Sequence, residues 1–346
     1  SDTNTGTDRT FIQDEINQLN SELNKISVNT EYNGIKLLDG TLNRKITVGS
    51  DAESQIIIDA QSTDSSTLGA FQLYSIDEHT AAAGISSHAE AKSLLNSKFL
   101  GDYTLSGSFT TKILKVNDGA DAHELANAFN NISNQTNIKA SAITKAQLWV
   151  ESSSTTYNFS LEGKSTILSE ITSTIDDKND LTSLKDAINA VTSSTGISAT
   201  LTLEKSRVNL IQADGYDIIV GDVTGDVMRL VATDANGETS NPYVRLNHNG
   251  VGDSDSSAVV GTVTLSSDRA FSVSSDRAEN HFATDIHPKH SSFNSIGNLN
   301  LKTKVGSTKS LAIIDSALTT ISRLRSVVGA KENHLLRAVD NLTTIS

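Results

Sequence analysis

The two ends of the chain share one pattern of apolar positions, and the middle has another. Near the start, Ile12, Ile16, Leu19, Leu23 and Ile26 follow at spacings of four, three, four and three, a heptad seam. The spacing predicts a helix from Asp8 to Asn29, with Thr7 or Asp8 as its cap after the loop-like "SDTNTGTDR". Near the other end, steps of three and four from Leu311 visit Ile314, Leu318, Ile321, Arg325, Val328, Glu332, Leu335, Val339 and Leu342. Arg325 and Glu332 interrupt this seam one heptad apart, either as buried polar positions that set register or as side chains that snorkel at its edge. The second helix runs to the last residue without a stop signal, so neither end reads as a natural terminus and an excised fragment is expected. Two heptad helices at opposite ends most simply pack together as a stem, with everything between them inserted.

Between the helices the period changes. "TEYNGIKLLDG" (30–40) puts two turn signals within a few residues of the first helix, which predicts a corner into extended chain. "KITVGSDAESQIIIDA" (45–60) reads as two strands around a Gly-Ser-Asp turn. The stretch from about 80 to 290 is rich in Ser, Thr, Gly and Asp, with short strand-like runs such as "AQLWVE", "YNFSLE", "VNLI" and "DIIVGDV". It also repeats itself: "AFNNISNQTNIKAS" (128–141) aligns with "AINAVTSSTGISAT" (187–200), each copy a short helix ending at Asn137 or Gly196 and passing into a strand. Each copy predicts a helix laid on a small antiparallel sheet, an α+β module.

Composition narrows the picture. The 346 residues are 36% hydrophobic and only 5% aromatic, so the core is aliphatic and slim modules are favoured over one compact enzyme core. A net charge of −13 opposes binding to nucleic acid or to an anionic bilayer. No apolar run is long enough to span a membrane, and no apolar core of a secretory signal is visible at the start. There are no cysteines, which excludes disulfides and thiolate metal sites.

Candidate chemistry is sparse. "HELAN" (123–127) begins like a zinc-protease signature, but Asn127 stands where the second His is needed; a helix start, with Glu124 near the positive end of the helix dipole, is the plainer reading. His281, Asp285, His287 and His290 in "HFATDIHPKHSSF" form the densest set of metal-ligand types, weighed against a solvated linker. "DGADAHE" (118–124) and "GVGDSDSS" (250–257) lack the spacing of a calcium loop. "GDVTGD" (221–226) lacks the Lys-Ser/Thr of a phosphate loop, and no nucleophile elbow occurs. The expectation is a non-enzyme with no metal and no cofactor. A cell-surface adhesin or sugar-binding surface is the alternative, to be decided by whether Trp149, Tyr157 and Tyr216 line an exposed groove; "QLWVE" alternates Trp149 with apolar residues, which predicts its burial.

At both ends the residues resemble a known family. "IQDEINQLNSELNKISVNTEYNGIKLLDG" (12–40) resembles the N-terminal conserved segment of bacterial flagellins, and "ALTTISRLRSVVGAKENHLLRAVDNL" (317–342) the matching C-terminal one. The repeat in the middle resembles a short Ile-Asn motif of the outer domains of flagellins and hook-associated proteins.

The resemblance implies a multi-domain fold: an α-helical, coiled-coil-like stem with a β-hairpin region formed by both chain ends, plus inserted α+β outer domains. The stem would take 1–78 and 291–346, and the outer modules 79–165 and 166–290. The implied function is a self-assembling subunit of the flagellar filament, extracellular and exported unfolded by a type III apparatus. Further subunits, an export chaperone and a filament cap are the implied partners. The outermost terminal segments of the family are expected to be missing, leaving a soluble, non-polymerising piece. The stem contacts would be helped by Arg9, Arg44 and Arg325 meeting acidic neighbours. Family members are also ligands of a vertebrate innate immune receptor, and the implied surface includes Glu15, Gln18 and His334. His334 and Glu332 stand where the family commonly has Arg and Gln, and losing a permanently charged five-donor group alters that surface.

Overall fold

The computed structural model describes residues 6–47, 55–76, 79–80, 85, 87–98, 101–107, 110–233, 239, 243–247, 254–278, 280–283 and 285–345. The chain divides into two units. One comprises Ser1–Phe71, Ser266–Arg269 and Ser292–Ser346, the other Gln72–Leu265 and Ala270–Ser291.

In the first unit a helix runs over Gly6–Asn29, with Asp8 in the first turn where the helix dipole favours an acid. Its inner face is not the expected seam. Gln13 and Ser27 are buried, with Ile16, Asn20 and Leu23 half-buried between them, whereas Ile12, Leu19 and Ile26 are 37%, 58% and 48% exposed. The reason lies in what the helix packs on. Its neighbours are irregular backbone, whose N–H and C=O groups need partners once water is excluded. Gln13 supplies both kinds: Nε2 donates to Leu299 O at 3.0 Å and Oε1 accepts from Leu301 N at 2.7 Å. Asn20 Nδ2 donates to Ile296 O at 3.0 Å, and Asn24 Oδ1 accepts from Ser65 N at 2.8 Å.

A second helix, Lys304–Ile345, buries Ser310, Ile313, Ala317 and Thr320. Of its expected seam, Ile314, Ile321 and Leu335 are half-buried, while Leu311, Leu318, Arg325, Val328, Glu332 and Val339 are exposed; the side chain of Leu342 lies outside the described residues. Both helices pack on the 3-10 turn Ile296–Asn298, around a small core of Ala70, Leu299 and Ile313. The apolar seam read from the heptads is thus only half enclosed.

The corner after the first helix differs in detail from a helix cap. Asn33 and Gly34 both have positive φ (49° and 75°) and form the turn of a small hairpin, Glu31–Tyr32 on Ile35–Lys36. The hairpin is closed at its base by Leu37 N donating to Thr30 O at 3.0 Å. Leu38 O then accepts from Ser27 Oγ at 2.8 Å and from Thr63 N at 2.9 Å, fixing the corner to the helix. Asn43–Thr47 and Gln55–Asp59 pair antiparallel, from Asn43 opposite Asp59 to Thr47 opposite Gln55.

The second unit is built on antiparallel sheets. One runs in the order Ser169–Ile175, Thr155–Glu162, Ile218–Thr224, Ser257–Val259, His79–Thr80. In another, Lys139–Val150 pairs with Val208–Gln212 on one side and Met228–Ala232 on the other. Beyond these lie Ile197–Leu201 and Val244–Leu246. Residues from both expected outer modules therefore share sheets. The core between them is aliphatic with few aromatics, including Leu148, Tyr157, Phe159, Leu184, Leu210 and Leu230. A third sheet orders Lys289–His290, Phe271–Ser275, Tyr103–Gly107 and Thr111–Leu114.

The internal repeat is a repeat in space. Ala122–Asn131 and Thr182–Ala190 are helices, each followed by a short helical turn, a left-handed residue and a strand. The left-handed residue is Asn137 (φ 57°) in one copy and Gly196 (φ 70°) in the other, the two residue types that tolerate it best.

Candidate functional site

The first unit carries a groove of about 520 Å³ between its two long helices and the strand Gln55–Asp59. Its walls are aliphatic: Leu23, Ile26, Leu38, Ile321, Leu324, Val327 and Val328. Arg325 and Glu332, the two polar breaks in the seam, line it as exposed side chains, which is the snorkelling arrangement. Lys331 pairs with Asp59 at the same groove, and that hydrogen bond and charge hold the Asp59 carboxyl below its ordinary range.

Exposed apolar residues continue along both helices. Phe11, Ile12, Leu19 and Ile26 stand out from the first, and Leu311, Leu318, Val328 and Val339 from the second, several of them seven residues apart. An exposed apolar surface of this extent marks an interaction face rather than scattered surface leucines. The strict three-four walk along the sequence passed over Leu324 and Val327, although the apolar doublet Val327-Val328 was visible there.

Other residues singled out in the sequence do not converge. His281 is buried, with Nε2 against Ala120 O at 3.2 Å, and burial pulls its pKa down to about 4. Asp285 pairs with Lys289 at 3.1 Å, and His287 and His290 are exposed. Among the described residues no group of three His, Asp or Glu side chains is placed to hold a metal ion. His123 stacks on Tyr216 (4.0 Å between centroids) and meets Asn127 Nδ2 at 2.8 Å, while Asp121 caps the helix by accepting from Glu124 N at 2.7 Å. In "GVGDSDSS", residues 250–253 lie outside the described residues.

Of the three aromatics proposed to mark a sugar groove, Tyr157 is buried and Tyr216 is half-buried under His123. Trp149 departs from its expected burial. The two-residue period of the strand sends Leu148 and Val150 inward, and Trp149 stays half-buried, packed against the edge of that core while lining a cleft.

Residues 1–43 match the family model described as the bacterial flagellin N-terminal helical region. The B-type flagellin of Pseudomonas aeruginosa is 27% identical over 354 residues, an alignment that takes in 99% of this chain and 68% of that protein. Together these matches support a bacterial flagellin. Flagellin A of Helicobacter pylori is 28% identical over 97% of this chain and 68% of its own length. A flagellin of Clostridium tyrobutyricum reaches 60% over 40 residues, 12% of this chain and 11% of that one. The structure of FliC from Burkholderia pseudomallei aligns over 95% of this chain and 86% of that one at 14% identity, with a TM-score of 0.31. The family is one of structural proteins, and the chain is a structural subunit of the extracellular flagellar filament, which serves motility. No helix among the described residues is long and apolar enough to cross a membrane.

Proposed function

We propose that the filament subunit assembles through the outward apolar faces of the helices Gly6–Asn29 and Lys304–Ile345, covered in the fibre by neighbouring copies. The observation that carries this is the exposure of Ile12, Leu19 and Ile26 on one helix and of Leu311 and Leu318 on the other. Leaving such residues in water forgoes about 1.5–3 kcal/mol for each side chain that association could bury. In this reading 1–78 and 291–346 form the inner stem, and the expected outer modules 79–165 and 166–290, which share sheets, face the medium together.

Export through a type III apparatus, with an export chaperone and a filament cap as partners, belongs to the same proposal. So does a receptor surface at Glu15, Gln18 and His334, all three exposed.

The test is made under conditions in which the unmutated protein forms filaments. Leu19→Ser combined with Leu318→Ser is expected to leave a folded subunit, judged by circular dichroism, that no longer forms fibres under the electron microscope. Normal fibres from the double variant would sink the proposal.

A further inference from the structure

Trp149 lies in a row of side chains that crosses three strands of the second unit. The register places it opposite Arg229, which in turn stands opposite Arg245. On the other side Arg207 stacks over the indole at 4.4 Å, and Arg229 stacks over Tyr243 at 4.3 Å. The two rings meet edge to face at 5.6 Å. This alternation of guanidinium and aromatic planes holds long arginine side chains in place before any ligand arrives.

Trp149, Arg207 and Arg229 line a cleft of about 410 Å³, a size suited to a small molecule. Three of its lining residues are cations (Lys178, Arg207, Arg229) against one carboxylate, Glu151, in a protein whose net charge is −13. Glu151 is engaged by Arg229 and lies 3.7 Å from Arg245. The nearby Asp177 carboxylate is turned into its own loop, accepting from Asn179 N at 2.9 Å, and Asp180 binds Thr182 and lies 3.6 Å from Lys205. Other donors are unspent. Arg207 makes one side-chain hydrogen bond, to Gln147 Oε1 at 3.0 Å, and the side chains of Lys178 and Ser206 have no bonded partner among the described residues.

We propose that this cleft binds a carboxylated sugar, the repeating chemistry of an acidic polysaccharide. The fork of Arg207 suits a carboxylate, and Lys178 adds a second positive charge. Ser206 and Asn179 offer hydrogen bonds to hydroxyls. Glu151 takes up the charge of Arg229 and lies beside Arg245, which leaves Arg207 and Lys178 for the ligand, a number of cations suited to the single charge of a carboxylate rather than to a polyphosphate or nucleic acid. A base would also want the indole face that Arg207 already covers.

Trp149 is the only tryptophan in the chain, so its fluorescence reads the cleft directly. Titration with trigalacturonate is expected to change the emission saturably, with affinity falling as salt is raised, while uncharged maltotriose does nothing. By calorimetry, Arg207→Gln and Lys178→Gln are each expected to bind about tenfold more weakly. Lys178 is exposed, so its loss leaves the fold untouched, and Lys36→Gln in the other unit is expected to bind as the parent does. A flat titration, an equal response to maltotriose, a larger response to an oligothymidylate, or undiminished binding by both cleft variants would overturn the proposal.

Discussion

Asn189 holds both backbone groups of Ala199: its Nδ2 donates to Ala199 O at 2.9 Å, and its Oδ1 accepts from Ala199 N at 2.8 Å. The preceding copy of the repeat makes the same clasp, Asn130 on Ala140, at 2.9 Å for both bonds. In each copy a threonine hydroxyl, Thr136 or Thr195, donates back into the helical turn and accepts from the amide two residues on, Ile138 or Ile197. A side-chain amide thus ties the helix to the strand that follows, where no regular backbone ladder can form.

Replacing Asn189 by Ala removes two hydrogen bonds from a buried residue, Ala199. The expected cost is about 1–3 kcal/mol, read as a lower urea midpoint for the second unit. Asn130→Ala is expected to cost less, since its partner Ala140 is only half-buried and water can replace the lost bonds. Equal and negligible effects would show that the clasp is incidental.

Gln13 and Ile12 are adjacent on one helix and are expected to behave in opposite ways. Gln13→Leu strands the Leu299 carbonyl and the Leu301 amide beside a buried position, at an expected cost of about 2 kcal/mol. Ile12→Gln should stay within about 0.5 kcal/mol in the isolated chain, since Ile12 faces water. Thermal melts of the two variants decide which face of the helix is the inner one.

His281 gives a pH dependence with a defined sign. Burial lowers its folded pKa to about 4 from 6.5, so the unfolded chain takes up the proton first as pH falls. Its contribution to stability is whole above about pH 6.5 and is lost progressively down to about pH 4. The difference in unfolding free energy between the parent and His281→Gln should change across that window and be flat above it. A difference that stays constant from pH 7 to pH 4 would mean the imidazole titrates normally.

Gly329 lies within the long C-terminal helix and lines the apolar groove, and a Cβ built on it meets nothing within 4 Å. Gly329→Ala should therefore stabilise the isolated chain by up to about 1 kcal/mol through helix propensity alone. If a neighbouring copy fills the groove, the same methyl should lower incorporation into filaments in a parent that assembles. Stabilisation with undiminished incorporation would argue that nothing approaches Gly329 closely.

Much of the fold was legible because local rules acted alone. The heptads marked both long helices, Asn33-Gly34 marked a turn, and the spacing of the repeat placed two equivalent helix-to-strand units. The turn proved to close a hairpin rather than to cap the helix, a distinction that depends on whether Glu31 pairs with Lys36. The groove was half legible: Leu23, Ile26, Ile321, Arg325 and Val328 were marked, whereas Leu38, Leu324 and Val327 were not.

The sequence by itself marked the two long helices, the two repeat helices, the turn at Asn33-Gly34 and the resemblance to flagellins, since these rest on spacing and on short runs of residue types, whereas the helix His88–Lys98 carried no such mark. Only the tertiary structure decided which helix face is inside. Ile12, Leu19 and Ile26 are the more hydrophobic choice, yet Gln13, Asn20 and Ser27 face inward because the helix packs on irregular backbone that needs hydrogen-bond partners. Likewise the alternation around Trp149 was plain, but its consequence depended on which face of the strand met Arg207 and which met the core. Periodicity assigns residues to faces; the neighbour across the interface decides which face is buried.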